Sequence, residues 1–181
     1  MGYRHDRDDL LRAGVELALE QGLGALTFGR LGKRLGISDR TVVYYFPTKE
    51  DLATAVAAEL GLRLQTLLEE AFGPDPMPVP DLLARAWPVL AAPPADPVFA
   101  VFFEAIGLAS AGQAPWADLV PVLVDGWVDW LVPRVRGGTT AERRRSALAV
   151  VAQIDGLLLV RQAIGARAAN TAAREMGIIG A

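Results

Sequence analysis

Apolar positions in this chain recur at steps of three and four residues, and no stretch shows the two-residue alternation of a half-buried strand. From about Asp6 to Gln21, Leu11, Val15, Ala18 and Leu19 share one helical face, and Gly22 offers a stop. Thr27 is placed to cap a short second helix, Phe28 to Leu35, and Gly36 supplies the left-handed residue of a tight turn. Ser38 caps a third helix running to about Tyr45, where Pro47 halts it. Thr48-Lys49-Glu50-Asp51 has the spacing of a capping box for a long fourth helix that reaches about Phe72.

Gly73-Pro74-Asp75-Pro76-Met77-Pro78 reads as a linker. Beyond it, start signals at Pro80-Asp81, Asp96-Pro97, Ala114-Pro115 and Thr139-Thr140-Ala141-Glu142 predict helices at about 80–92, 96–111, 115–135 and 140–165, with a short ninth near 168–176. Asp96 is expected as a cap with proline at the first helical position, and Pro88, Pro121 and Pro133 are expected to bend the helices that contain them. The pattern predicts an all-α chain of about nine helices: a three-helix N-terminal domain over 1–50 and a helical domain over 51–181, with helix four (48–72) connecting the two.

The segment Ser146 to Gly165 is apolar nearly all the way round, with Ala147, Leu148, Val150, Val151, Ile154, Leu157, Leu158, Leu159 and Val160. Such a helix needs cover on both sides. One side packs in its own subunit; a two-fold dimer supplies the other, with Val151, Ile154 and Leu158 as the expected interface.

Composition narrows the chemistry. A hydrophobic fraction of 52% suits a packed core. The absence of cysteine excludes disulfides, thiolate metal sites and cysteine nucleophiles, and a single histidine, His5, leaves nothing for a zinc site or a histidine relay. No catalytic residue, metal or cofactor is therefore expected. The charged start carries no leader-like apolar run, and no stretch reaches the roughly 18 apolar residues of a span, so a cytoplasmic protein without membrane contact is expected. Residues 1–50 hold eight Lys and Arg against seven Asp and Glu, the rest ten against fourteen, so the basic bias of the N-terminal part is slight. Charge alone does not point to nucleic acid.

The pattern from Leu26 to Leu52, LTFGRLGKRLGISDRTVVYYFPTKEDL, does. Two short helices joined by a glycine turn set one helix across phosphates and the next into a major groove. Leu31, Leu35, Ile37, Val42 and Phe46 fall at buried spacings. Ser38, Asp39, Arg40, Thr41, Tyr44 and Tyr45 are left outward, a set suited to phosphate oxygens and base edges.

This stretch resembles the DNA-binding domain of TetR-type regulators, whose pattern is a helix-two threonine, an A-G-V-S turn and T-L-Y-x-H-F-x-S-K-E-x-L. Thr27, Leu31, Gly36, Ile37, Ser38, Thr41, Phe46, Thr48, Lys49, Glu50 and Leu52 match without a gap. Val43 stands where the family has tyrosine and Tyr45 where it has histidine, which shifts the phenol contact to Tyr44 or Tyr45. Gly29 and Gly32 weaken helix two by roughly 1 kcal/mol each relative to alanine, and Gly32 fits a close helix crossing. The resemblance implies phosphate contacts for Thr27 and Lys49, base reading by Arg40, and phosphate or thymine-methyl contacts shared by Thr41, Tyr44 and Tyr45, with Ser38 in the same outward set.

It further implies a sensor domain in the remaining chain. Trp87, Phe99, Phe102, Phe103, Trp127 and Trp130, with Gln153, are the expected lining for a small apolar or aromatic effector, although an aromatic stripe at helical spacing equally makes plain core. Glu104, Gln113, Asp125, Asp129 and Asp155 are further candidates for its polar contacts. The function expected is a ligand-responsive repressor, a homodimer on double-stranded palindromic operator DNA, and not an enzyme. The competing expectation is a helical dimeric protein-interaction module with weak or lost DNA binding, for which Val43 and the slight basic charge speak.

Overall fold

The computed structural model describes residues 6–180; His5 lies outside them. Helix starts in the N-terminal part coincide with side chains that satisfy otherwise orphaned backbone donors. In α1 (Arg7–Gln21) the Asp6 carboxylate accepts from the Asp9 amide at 2.8 Å and Asp9 reciprocates at 3.3 Å. Gly22, at φ 79°, ends this helix. A 3-10 turn over Leu23–Ala25 follows, which the periodicity does not foresee. Thr27 Oγ1 accepts from the Arg30 amide to start α2 (Phe28–Leu35), and Gly36 closes it at φ 67°. Ser38 Oγ accepts from the Thr41 amide at the start of α3 (Asp39–Tyr45). Thr48 and Asp51 form the expected reciprocal pair, both bonds 3.0 Å, ahead of α4 (Lys49–Phe72).

Five more helices follow: α5 (Val79–Leu90), α6 (Asp96–Ser110), α7 (Trp116–Leu131), α8 (Thr140–Ile164) and α9 (Ala166–Glu175). Pro88 and Pro121 sit inside helices as expected, but Pro133 does not. The chain tightens into a 3-10 turn, Val132–Arg134, because proline lacks the N–H that would continue α7. Asp96 is likewise no cap: a 3-10 turn over Pro93–Ala95 leads directly into it, and its own backbone is already helical. Among the described residues the one β-type pairing is an isolated bridge between Met77 and Val135.

The fold divides into two compact units, one made by the residues up to Leu62 with Ala100–Val120, the other by Arg63–Phe99 with the residues from Pro121 onward. In the first, Leu10, Val15, Leu31, Val42, Phe46, Leu52 and Val56 are buried together with the flanks of the 3-10 turn. Glu104 of α6 accepts from the amides of Leu23 at 2.9 Å and Gly24 at 3.3 Å, so a carboxylate satisfies two donors that the short turn leaves open. Glu104 is therefore committed to the backbone and not to an effector.

In the second unit Leu82, Trp87, Ala147, Val150, Ile154, Leu157 and Leu158 form the core. Arg161, 8% exposed, is compensated by a two-point bond to Asp96, 2.5 Å from Nε and 2.9 Å from Nη2. Ile154 and Leu158, expected at a dimer interface, are thus packed inside the protomer, and Val151 is half-buried. The exposed stripe of α8 runs instead through Leu148, Ala149, Ala152, Gly156, Leu159 and Ala163. The difference is one of helical phase, which an all-round apolar sequence leaves open. The helix is long and apolar enough to cross a membrane, with mean hydropathy 1.6 over 18 residues, but one of its faces is already part of a protein core.

Candidate DNA-binding interface

The interface begins at the crossing of α2 and α3. A Cβ at Gly32 would lie 2.8 Å from the Ile37 carbonyl oxygen and 3.2 Å from Asp39 Oδ1, so only glycine permits this approach. The crossing buries Leu31 and Val42, with Phe46 behind them; Leu35 and Ile37, expected in the core, remain half-buried at its edge. An Arg7 guanidinium lies 5.1 Å from the centroid of the Phe46 ring.

With Val42 anchored, α3 presents Ser38, Asp39, Arg40, Val43 and Tyr44 to solvent, while Thr41 and Tyr45 are half-buried. Tyr44 is 79% exposed and meets Tyr45 edge to face, ring centroids 5.0 Å apart. The inner phenol buttresses the outer one, a division of labour that the sequence alone does not assign. Ser38 Oγ and Thr41 Oγ1 share a 3.0 Å hydrogen bond, and Thr27 keeps its cap bond while half-buried. Lys49 is exposed in the first turn of α4, where the helix N-terminus favours anions.

Not every cation here is available. Arg34 is held by Glu20 at 2.8 Å and Glu16 at 3.1 Å, which keeps the Glu20 carboxyl below its usual range through the Arg34 hydrogen bond. Arg30 and Lys33, which the sequence reading did not single out, stay exposed on α2 without an ion pair among the described residues. Their helical position was legible; that Arg34 and not they would be neutralised depends on how α1 packs. The resulting surface offers hydroxyls, a phenol and uncompensated cations, which can bond phosphate oxygens and base edges but supply no nucleophile–base pair.

The residues expected around an effector are dispersed. Trp87 is 2% exposed and its indole donates to Asn170 Oδ1 at 3.0 Å, tying α5 to α9 as a core residue. Trp130 packs against Phe72 and Trp127, at centroid distances of 6.0 and 5.4 Å, and carries the Arg134 guanidinium 3.6 Å above its ring. Phe99 is buried in the same unit, whereas Phe102 and Phe103, with centroids 5.4 Å apart, belong to the other. Gln153 donates to the Ala149 carbonyl of its own helix. Asp125 and Asp129 both bind Arg144, while Gln113 is exposed. Asp155 differs from the rest: burial pushes its carboxyl up from 3.8 to about 6.

Residues 10–56 match the family model for bacterial regulatory proteins of the tetR family. No curated protein sequence matches the chain. Among solved structures, a transcriptional regulator from Rhodococcus sp. RHA1 is similar over 96% of this chain and 94% of its own, with 22% identity and a TM-score of 0.73. A TetR transcriptional regulator from Legionella pneumophila is similar over 97% of each chain, with 16% identity and a TM-score of 0.65. A protein of Saccharomonospora viridis in complex with choline is similar over 94% of each chain, with 18% identity and a TM-score of 0.68. The matched residues span the helices whose exposed side chains suit DNA, and the whole chain carries the all-α fold of these solved regulators, so residues 10–56 are similar to the DNA-binding part of bacterial regulatory proteins of the tetR family.

Proposed function

We propose that the chain is a ligand-responsive repressor that binds a palindromic operator in the bacterial cytoplasm as a homodimer. The observation that carries this reading is the exposed face of α3, where Arg40 and Tyr44 stand clear of the protein on a helix anchored by Val42. Arg40 reads a guanine through its O6 and N7 acceptors. Ser38, Thr41 and Tyr44 contact phosphates or a thymine methyl, Tyr45 supports them, and Thr27 and Lys49 fix the register on the backbone.

Two such helices must enter successive major grooves about 34 Å apart. The exposed stripe on α8, with Leu148 and Leu159 flanking small residues, supports a two-fold partner in that role. A small apolar or aromatic effector then favours a dimer whose spacing no longer fits the operator, which a few kcal/mol of differential affinity achieves. The choline complex of the Saccharomonospora protein supports a sensor of small molecules, and the Phe72, Trp127 and Trp130 cluster is the aromatic surface best suited to contribute here.

Gel-shift titration against the promoter region of the chain's own gene tests the proposal. Specific retardation at moderate salt is expected, and its absence overturns the reading. If retardation occurs but is unaltered by combined Arg40→Ala and Tyr44→Ala substitution, α3 is not the reader.

A further inference from the structure

The second unit carries a concavity unrelated to the aromatic cluster. It is an open depression of about 500 Å³ lined by Pro76, Pro133, Val135, Arg136, Gly137 and Arg143. Its walls are held by backbone: the Met77 amide donates to the Arg134 carbonyl and the Arg136 amide to the Met77 carbonyl, both at 2.9 Å. The chain then passes through Gly137 and Gly138, at φ 80° and 70°, into the capped start of α8.

The two guanidiniums in this concavity are fixed by neutral acceptors. Arg136 Nε donates to the Pro76 carbonyl at 3.1 Å. Arg143 donates from Nη1 to the Gly138 carbonyl and from Nη2 to Thr140 Oγ1, each at 3.2 Å, while its Nε is buried and has no acceptor. Neither makes an ion pair among the described residues. By contrast Arg12, Arg34, Arg134, Arg144 and Arg161 each meet a carboxylate. Two preoriented, uncompensated positive charges between proline and valine walls form a receptor for an anion with an apolar body.

We propose that this concavity binds a small organic oxyanion, a carboxylate or phosphate monoester, through Arg136 and Arg143. The site is independent of the DNA-binding reading. Benzoate and phenyl phosphate are the probes, titrated calorimetrically into the full-length protein at constant ionic strength, with benzyl alcohol as the uncharged control. Saturable binding of at least one anion, and none of the alcohol, is expected; which anion binds tells the carboxylate from the phosphate source. Arg136→Gln and Arg143→Gln should each weaken it about tenfold or more, with Arg143→Lys intermediate because it keeps the charge but loses the fork. Arg144→Gln, which removes a neighbouring charge already compensated by Asp125 and Asp129, should leave affinity within about twofold. Absence of saturation in the wild type overturns the proposal. So does equal loss in Arg136→Gln and Arg144→Gln, which would mean a diffuse field and not a site. Arg136 is exposed, so its variant keeps the test valid even if Arg143→Gln disturbs folding.

Discussion

Gly29 and Gly32 share a helix and a residue type, yet their surroundings oppose each other. A Cβ at Gly29 meets nothing nearer than Asp39 Oδ2 at 3.6 Å, an ordinary contact, so Gly29→Ala should raise stability by about 0.5–1 kcal/mol through helix propensity. Gly32→Ala must push the Ile37 carbonyl away and should lower stability by about 1–3 kcal/mol. Urea midpoints of the two variants decide it; a shift of the same sign in both would refute the account. On the DNA side, Arg40→Ala should cost about 1–3 kcal/mol and relax preference at one base pair. Lys49→Ala should weaken all sequences alike and reduce the salt slope by about one, both read by binding across a salt series. Asp155 sets a pH dependence. With its carboxyl raised from 3.8 to about 6, the folded state holds this proton more tightly than the unfolded chain. The stabilisation is full below the unfolded value and lost as pH rises through the folded one, up to about 3 kcal/mol. Thermal melts at about pH 5 and pH 8 should show Asp155→Asn gaining stability at the higher pH; an unchanged pH slope in the variant would contradict this.

Among the elements, helix boundaries followed local chemistry wherever a capping side chain or a stop was at hand. Asp6, Thr27, Ser38, Thr48 and Thr139 all cap the helices that follow them, because an orphaned amide is satisfied within three residues of its acceptor. The 3-10 turn at Leu23–Ala25 was not legible. Two of its amides are satisfied by Glu104, some eighty positions away, and no local pattern announces such a partner. Removing that carboxylate strands both donors, so Glu104→Ala should destabilise the N-terminal unit by about 1–3 kcal/mol. Hydrogen exchange at Leu23 and Gly24 should accelerate, whereas unchanged protection there would show the bonds to be dispensable. The same long-range logic accounts for Asp96: read locally as a cap, it is drawn instead to Arg161 on α8.

For the whole molecule, the decisive surface is the exposed side of α8. The sequence reading expects cover on both sides of this helix; of the residues it assigned to the outer side, Ile154 and Leu158 are buried within the protomer and Val151 is half-buried. Leu159→Glu places a charge on the exposed stripe, 53% accessible in the protomer, and should leave the protomer folded while abolishing the proposed dimer. Light scattering should give monomer mass, and operator affinity should fall to that of one half-site. A Leu159→Glu protein that remains dimeric would place the two-fold axis elsewhere. The buried Leu158 is the contrast, since any polar substitution there unfolds the protein before it can report on assembly.

The amino-acid order by itself determined the all-helical class, most helix limits and the presence of a helix-turn-helix. These rest on interactions that close within a few residues: caps, left-handed glycines and a three-to-four apolar period. Tertiary structure alone decided which arginine is neutralised by glutamates, which tyrosine stands free, which face of α8 is left uncovered, and where two unpaired guanidiniums meet. Those outcomes depend on the phase with which one helix packs on another, and an apolar run compatible with several phases carries no record of the one chosen.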